Sequence, residues 1–190
     1  MEQTMNRCGW CLKDDLYKNY HDTEWGRPIY DDRKIFEFLI LETFQAGLSW
    51  YTVLSKRENF RQAFDCFDYH LIATYDEHSI QALMQNAGII RNLLKIKAAI
   101  SNAQAFLNVQ REFGSFSNYI WAFVNHKPII NQWKSLTDVP PKTELSDRIS
   151  RDLKSRGFKF VGSTVVYAHM QATGMVNDHL VNCSFYNSRS

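Results

Sequence analysis

Apolar residues recur at helical spacing through most of the chain. Leu93, Ile96, Ile100, Ala103 and Leu107 follow alternating steps of three and four, which places them on one face of an amphipathic helix. Strand patterns are nearly absent, and neither internal repeats nor low-complexity tracts are visible in the sequence. The pattern therefore predicts an all-α protein.

Capping residues and glycines set the predicted bounds of further helices. Asp76 fits the N-cap of one helix, which Gly88 is predicted to end. Two more helices are predicted at residues 146–155 and 164–173, each followed by a glycine. Two adjacent prolines mark residues 131–143 as the main long loop.

The size and composition of the chain fit one domain. It has 190 residues, of which 45% are hydrophobic, so a sizeable core is available. Residues 1–190 are predicted to form one domain, with two helical lobes as a possible arrangement. The longest strongly apolar stretch, Ile35–Leu41, contains Glu37 and is too short to cross a bilayer. Residues 1–4 show no start of a secretory signal, so we expect a cytoplasmic protein without membrane contact.

Charge alone does not indicate a partner, because the net charge is only +2. Basic residues cluster in two places: Lys56, Arg57 and Arg61, and Lys154, Arg156 and Lys159. Each cluster is either a local DNA contact or a solvated helix face, and a solvated face is the commoner case for such a cluster alone.

Cysteines and histidines near opposite ends of the chain have the residue types of a zinc site. Cys8 and His21 lie at one end, and His179 and Cys183 form a His-x3-Cys pair at the other. Two thiolates and two imidazoles match a tetrahedral structural zinc site with no open position for water. The spacing leaves the alternative of ordinary buried thiols and locally bonded histidines. Cys11 is a rival ligand, because Cys8 and Cys11 are themselves a Cys-x2-Cys pair.

The N-terminal quarter is rich in tryptophan and tyrosine: Trp10, Tyr17, Tyr20, Trp25 and Trp50. Tyr17 and Tyr20 share a face of a helix predicted to begin near Asp14. Aromatic residues at this spacing usually form core. However, their N–H and O–H groups need partners in a dry core, whereas a pocket for a flat base can use both ring and polar group.

Glu42 lies in a segment that is apolar on nearly every side, between Leu41 and Phe44. A carboxylate there must be paired, neutral or functional, and a hydrogen bond to a nearby helix end is the alternative to function. Gly47 then interrupts the helix, and Leu48 can project from the turn. A protruding apolar side chain beside an aromatic pocket suits base extrusion, because the vacated base stack must be filled.

A short segment bounded by Gly157 and Gly162 separates the last two predicted helices. Such a turn points the free amide groups at the start of the second helix outward, where they bind a phosphate. Lys159 adds a positive charge. This hairpin could hold DNA without reading its sequence, although glycine-flanked helix turns are common.

These segments together resemble the 3-methyladenine DNA glycosylase I (Tag) family of bacterial repair enzymes. The resemblance extends over essentially the whole chain, from Arg7 to Cys183. The segments that carry it are Arg7–Trp10, Tyr20–Gly26, Gln45–Trp50, Lys56–Asn59, Ala87–Arg91, Gly157–Gly162 and Val176–His179.

The resemblance implies a helix-hairpin-helix glycosylase fold whose termini are joined by a structural zinc ion. By position, the zinc ligands are Cys8, His21, His179 and Cys183, whereas Cys11 has no role. The implied base pocket is Tyr17, Tyr20, Trp25, Glu42 and Trp50, with Trp10 near its rim. The implied DNA contacts are Leu48, pushed into the base stack and backed by Gly47, and the hairpin from Gly157 to Gly162 with Lys159.

The resemblance also implies a reaction. The partner is alkylated duplex DNA, and the enzyme hydrolyses the N-glycosidic bond of 3-methyladenine without strand cleavage, with Glu42 acting on the base. We expect a monomer. Related helix-hairpin-helix glycosylases use an aspartate near the place of Asp178, but Asp178 directly precedes His179 and we interpret it as structural. The rival interpretations are a non-catalytic DNA-binding module, a zinc hydrolase and a purely structural helical protein.

Overall fold

The computed structural model describes residues 5–186; residues 1–4, which bear on the expectation of no secretory signal, lie outside the described residues. Within residues 5–186, helices dominate: α1 (Asp15–Thr23), α2 (Asp32–Gln45), α3 (Trp50–Leu54), α4 (Arg57–Ala63), α5 (Tyr69–Ile72), α6 (Glu77–Gln85), α7 (Leu93–Phe113), α8 (Phe116–Ala122), α9 (Glu144–Ser155) and α10 (Ser163–Ala172). The short strands β1 (Ile129–Ile130) and β2 (Val176–Asn177) pair in parallel. The predicted all-α fold is confirmed, with this two-residue pair as the addition.

Helix α6 begins as predicted and ends earlier than predicted. The Asp76 side chain accepts a hydrogen bond from the backbone N–H of Ser79 at 2.9 Å and caps the helix. The prediction that Gly88 ends it is wrong: Asn86 already leaves the helical conformation, with ψ of 102°. The chain leaves the helix at Asn86 in an extended conformation with a negative φ. Any residue can adopt this conformation, so the helix ends without a glycine.

Helix α7 contains the predicted apolar stripe but buries only its middle. Ile96, Ile100 and Ala103 are buried, whereas Leu93 is 41% exposed. The helix continues to Phe113, six residues beyond the end of the predicted stripe at Leu107. The predicted stripe therefore meets the core through its central residues.

The last two helices lie close to their predicted bounds. Thr143 caps α9, and Gly157 follows it with φ of +96°. The chain leaves α10 at Gly174 with φ of +70°, and a Cβ there would lie 2.3 Å from the backbone carbon of Arg27. Only glycine fits this position, which fixes α10 against the loop after α1.

The core is built around α2. Every residue from Ile35 to Phe44 is buried, and the helix contacts α3, α7, α8 and α10. An acidic side chain anywhere in this stretch is therefore removed from water, and Glu37 and Glu42 both are. None of the described helices combines the length and hydropathy of a membrane span.

Candidate active site and metal site

A cavity of about 410 Å³ lies between α1, the end of α2, the start of α3, α10 and the loop 131–143. Its lining residues are Trp10, Tyr17, Tyr20, Trp25, Glu42, Gln45, Trp50, Leu136, Val139, Pro140, Pro141, Thr164, Tyr167, Ala168, Gln171 and Asp178. All the residues predicted for the pocket therefore line one cavity. Its volume lies in the range of about 300–1,000 Å³ that is usual for small-molecule sites.

Helix caps place the aromatic residues in the cavity. The Asp14 side chain accepts from the backbone N–H of Tyr17 at 2.9 Å, which starts α1 in the register that puts Tyr17 and Tyr20 on one face. Ser49 accepts from the N–H of Thr52 at 3.2 Å and so starts α3 at Trp50. Local capping thus decides which face of each helix meets the cavity.

The aromatic wall is packed edge to face. The ring centroid of Trp10 lies 4.9 Å from that of Tyr17 and 5.0 Å from that of Trp25, in T-shaped arrangements. Tyr20 packs 5.4 Å from Trp50. Burial, with a further contribution from nearby Glu42, raises the pKa of Tyr20 well above its ordinary value, so its hydroxyl stays protonated. Rings held in this way form a rigid slot that suits a flat molecule.

Glu42 is the unusual group of the cavity. It is 3% exposed, and burial raises the pKa of its carboxyl to about 8. Among the described residues nothing donates a hydrogen bond to its Oε2, and the Nε1 of Trp50 likewise has no acceptor. The predicted alternative, a structural bond from Glu42 to a helix end, does not account for this oxygen. The cavity therefore presents buried polar atoms that the protein itself leaves unpartnered.

Asp178 lines the same cavity and is fully engaged. Its Oδ1 accepts from Asn131 and from the indole of Trp133, both at 2.7 Å. Its Oδ2 accepts from the hydroxyl of Tyr167 at 2.6 Å and from the side chain of Gln171 at 2.8 Å. These bonds join the loop after β1 to α10, which supports a structural role for this carboxylate.

Part of the lining was not predicted from the sequence. Thr164, Tyr167, Ala168 and Gln171 follow one another at helical spacing on the cavity face of α10. That periodicity was a usable signal. Pro140 and its neighbours reach the cavity by the path of a long loop, which no local pattern reveals.

The turn after α2 exposes Leu48, as predicted. Gly47 has φ of +81° and Leu48 is 42% exposed. The Leu48 N–H donates to the carbonyl oxygen of Gln45 at 2.6 Å. The leucine therefore projects from a hydrogen-bonded turn at the edge of the cavity, between Gln45 and Trp50.

The predicted hairpin joins α9 to α10 and is held in place by a side chain of α7. Asn102 of α7 accepts from the N–H of Lys159 at 2.7 Å and donates to the carbonyl oxygen of Lys159 at 3.1 Å. The Lys159 side chain is exposed, and α10 starts at Gly162 without a side-chain cap. The first amide groups of α10 thus have no capping side chain, as a phosphate-binding helix start requires.

In each basic cluster at least one arginine is already bound by acidic side chains. Arg57 is buried and donates to Glu37 at 2.7 Å and to Glu24 at 2.9 Å, so it is neither a solvated residue nor a DNA contact. Arg156 is held by Glu112 and Asp152, at 2.7 Å each. Clusters in sequence do not reveal which cations already have acidic partners.

Four side chains from the two ends of the chain form the candidate metal site. Cys8, His21, His179 and Cys183 are all buried, and their ligand atoms lie within 4.8 Å of one another. The Cys183 sulfur lies 3.5 Å from Nδ1 of His179 and 3.6 Å from Nε2 of His21. This group can hold a metal ion.

The surroundings of the two histidines fit metal binding. Nδ1 of His21 lies 2.8 Å from the Asp22 carboxylate, which Arg7 in turn holds at 2.8 Å. Nε2 of His179 lies 3.2 Å from the carbonyl oxygen of Trp25, an obligate acceptor. One nitrogen of each ring thus lies against an oxygen acceptor outside the group, and the other nitrogen faces a cysteine sulfur. Histidine ligands of metal sites have this arrangement, in which a hydrogen bond on the second nitrogen orients the ring.

Of the three cysteines near the chain ends, Cys8 and Cys183 belong to the candidate metal site and Cys11 does not. The Cys11 sulfur donates to the carbonyl oxygen of Cys8 at 3.1 Å and does not belong to the group of four. The pKa of Cys183 is lowered well below its ordinary value, mainly by its hydrogen bond with Cys8 and then by His179 and His21. A thiolate is therefore available, and thiolates are what soft metal ions bind.

The fold and the site define a helical protein with a rigid aromatic slot around a buried, unpartnered carboxyl, and with a separate Cys2His2 group joining its ends. A family model described as methyladenine glycosylase matches residues 10–187. The chain belongs to the methyladenine glycosylase family.

Relatives and solved structures agree with this assignment. The chain is 50% identical to DNA-3-methyladenine glycosylase 1 of Escherichia coli (strain K12), over 96% of this chain and 97% of the relative. The structure of 3-methyladenine DNA glycosylase I from Staphylococcus aureus has a TM-score of 0.94 at 36% identity, covering 98% of this chain and 99% of the other. A variant of 3-methyladenine DNA glycosylase I in complex with 3-methyladenine has a TM-score of 0.94 at 35% identity, covering 98% of this chain and 100% of the other. The resemblance to the 3-methyladenine DNA glycosylase I family is confirmed.

Proposed function

We propose that this protein flips 3-methyladenine out of alkylated duplex DNA and hydrolyses its N-glycosidic bond. The observation that carries the proposal is the buried Glu42 carboxyl without a partner for Oε2, inside an aromatic slot. The E. coli relative, 50% identical, is named for the same activity, and a similar structure holds the free base. A purely structural helical protein would have no reason to maintain unpartnered polar atoms at such a place.

The base binds in the slot through its face and its edge. Trp50 stacks on the ring, for which aromatic sites supply about 1–3 kcal/mol per base. Glu42 accepts hydrogen bonds from the base edge, and Tyr20 helps to orient it. Trp10, Tyr17 and Trp25 complete the wall. In the free protein, burial raises the pKa of Glu42 and so disfavours its ionised form. A cationic base bound next to Glu42 favours the ionised carboxylate again.

Extrusion depends on Leu48. Taking a base out of the stack costs a few kcal/mol, and an apolar side chain that fills the gap offsets part of this. Leu48 is exposed beside Gln45 and Trp50, and Gly47 provides the left-handed turn that presents it. The base therefore leaves the stack next to the slot that receives it.

The hairpin holds the DNA backbone. The free amide groups at the start of α10 and the exposed Lys159 suit a phosphate, and Gly157 and Gly162 allow its close approach. Helix α10 also lines the cavity with Thr164 and Gln171. A phosphate bound at its start is thus linked by one rigid helix to the base-binding slot.

The chemistry rests on a leaving group that is already activated. Methylation at N3 makes the adenine cationic, so no proton needs to be supplied to it. Attraction between Glu42 and the cationic base raises binding but by itself opposes departure, because the base loses its charge as it leaves. Rate comes from orienting the base and from stabilising the sugar's developing positive charge before water attacks. No lysine lines the cavity in the described part of the chain, so no Schiff base forms and the strand is not nicked.

We propose zinc as the metal of the Cys2His2 group, with Cys8, His21, His179 and Cys183 as its ligands. Bound there, zinc stabilises the junction of the two chain ends; four protein ligands leave no position for a reactive water, which argues against a zinc hydrolase. Purified protein is expected to contain about one zinc per chain. Cys183→Ser loses this metal, whereas Cys11→Ser, a buried cysteine outside the group, retains it. A stable, folded wild-type protein without metal would refute the assignment.

We also propose that residues 1–190 act as one glycosylase unit and as a monomer. Helices α1, α2, α3 and α10 and the loop 131–143 of one chain already supply the aromatic wall, Glu42 and Asp178 around the cavity. A sedimentation mass near 22.3 kDa in the active enzyme is expected.

The experiment that tests the function is release of free 3-methyladenine from methylated duplex DNA by purified protein. Heat-killed protein is the control, and the DNA is checked for nicks by denaturing electrophoresis. Release without nicking supports a monofunctional glycosylase. If folded protein binds the DNA but releases no base, the activity is wrong and a non-catalytic DNA-binding module takes its place.

A further inference from the structure

Lys95 is a buried lysine that the proposed mechanism does not use. It lies in the first turn of α7 and is 6% exposed. Its ammonium donates to the carbonyl oxygen of Phe44 at 2.8 Å and to that of Ala46 at 2.6 Å. Within residues 5–186 it makes no ion pair with a carboxylate, and it does not line the cavity. A desolvated cation with only carbonyl partners needs an explanation.

The explanation lies at the end of α2, where the chain turns toward Leu48. The last carbonyl groups of a helix have no partner within the helix, and the negative end of the helix dipole collects there. Ala46 leaves the helical conformation with ψ of 116°, so the helix cannot continue to satisfy them. The Lys95 ammonium donates hydrogen bonds to the carbonyl oxygens of Phe44 and Ala46, and the Leu48 N–H donates to that of Gln45. Together these bonds satisfy three consecutive carbonyl groups.

The exposed leucine is therefore held from two sides. Before it, the turn is fixed to α7 through Lys95; after it, Ser49 caps α3 through its bond to the N–H of Thr52 at 3.2 Å. Gly47, between Ala46 and Leu48, adopts φ of +81°, and a Cβ on it would meet nothing within 4 Å. The turn therefore lacks side-chain packing at Gly47 and depends on these polar bonds for its direction.

We infer that Lys95 is a positioning residue for base extrusion, which joins α7 to the end of α2 and so holds Leu48 rigid when it enters the base stack. This rests on the proposed function. On a mobile turn, the leucine would be displaced by the stacked bases instead of entering between them, because moving the turn would cost less free energy than separating the bases. The same helix end carries Glu42 and Gln45, so Lys95 also keeps the extruding residue in register with the receiving slot.

Two substitutions of Lys95 test this inference. Lys95→Met keeps the length of the side chain and removes the ammonium, while Lys95→Arg keeps a cation that can donate to two carbonyls. Lys97→Met is the matched control, because Lys97 is exposed and lies two residues further along the same helix. Leu48→Ala marks the result of losing the leucine itself. Each protein is measured for release of 3-methyladenine from methylated DNA, native and heat-denatured, and for binding of the free base.

Lys95→Met is expected to lower release from duplex DNA about tenfold more than release from single strands. Binding of free 3-methyladenine stays near the wild-type value, Lys95→Arg recovers part of the duplex activity, and Lys97→Met keeps the wild-type ratio of duplex to single-strand release. A purely structural role would lower both releases and base binding together, and this outcome would overturn the inference. So would a folded Lys95→Met with the wild-type ratio. A wild-type protein that releases no base refutes the proposed function instead, which keeps the two failures distinct.

Discussion

Two buried carboxylates line one cavity in opposite surroundings. Glu42 is 3% exposed and Asp178 is 2% exposed. Asp178 receives four hydrogen bonds from side chains of the loop after β1 and of α10. Glu42 has no donor for Oε2 in the described structure, and burial raises its pKa to about 8. Burial alone therefore does not distinguish a functional acid from a structural one; the supply of donors does.

The difference is energetic as well as geometric. A buried acceptor that is satisfied contributes to stability, whereas an unsatisfied one costs about 1–3 kcal/mol. The hydrogen bonds of Asp178 join two parts of the fold, whereas Glu42 Oε2 leaves an acceptor free, which in the proposed function takes donors from the base. Three substitutions test this contrast.

The largest effect is expected for Glu42→Ala. Losing hydrogen bonds from the base edge, each worth about 1.5–3 kcal/mol to a charged group, lowers binding of 3-methyladenine by about a hundredfold or more. Folding is largely intact, because Oε2 has no protein partner to lose. Titration of the free base and the rate of base release measure the effect. Unchanged base binding in folded Glu42→Ala protein would remove Glu42 from the pocket.

The second effect is a loss of stability in Asp178→Asn. An amide keeps only one acceptor oxygen for the four donors, so about two buried donors lose their partner, at about 1–3 kcal/mol each. The expected fall in Tm is roughly 4–24 °C for a chain of this size. Base release by the folded fraction falls far less than in Glu42→Ala.

Asp147→Asn is the control, since Asp147 is a partly exposed aspartate of α9. Thermal unfolding and metal content are measured for both variants. If Asp178→Asn were as stable as wild type and as inactive as Glu42→Ala, Asp178 would belong to the reaction and the contrast between the two carboxylates would be wrong.

The smallest effect is a pH dependence of stability. The folded pKa of Glu42 is about 8, above the ordinary 4.5, so the folded state holds its proton more tightly than the unfolded state does. Stability from this group is fully present below about pH 4.5 and is lost as the pH rises toward 8. Glu42→Gln does not titrate, so it should be more stable than wild type at pH 8.5 by about 1 kcal/mol or more, or roughly 2–4 °C in Tm. If the Tm of Glu42→Gln differed from that of wild type by the same amount at pH 4.5 and at pH 8.5, Glu42 would not be desolvated.

The sequence could predict those features that local pattern controls. Asp76 caps a helix as expected, and Glu42 is buried as its apolar neighbours required. The four candidate ligands came from residue type, spacing and the family resemblance, and the structure brings them together without Cys11. Features of this kind depend on residues close in sequence or on chemistry specific to the side chain.

What the sequence could not predict depends on pairs that are distant along the chain. Arg57 is buried because Glu37 of α2 and Glu24, directly after α1, bind its guanidinium. Lys95 reaches carbonyl groups about fifty residues earlier, at Phe44 and Ala46. The end of α6 was misplaced because an ordinary residue, Asn86, turns the chain before the glycine does. Local periodicity contains no information on such partners.

The Cys2His2 group also constrains when during synthesis the enzyme can become active. The ring of His179 packs 4.7 Å from Trp25, and the ring of His21 packs 5.3 Å from Trp10, so two walls of the cavity rest on this group. Asn6 and Ser184 are hydrogen bonded to each other beside it, at 3.0 Å. A nascent chain still attached to the ribosome can fold its inner helices as they emerge, but it lacks this support until residue 183 has been translated. Chains that end before residue 183 are therefore expected to form their inner helices while lacking this support for Trp10 and Trp25.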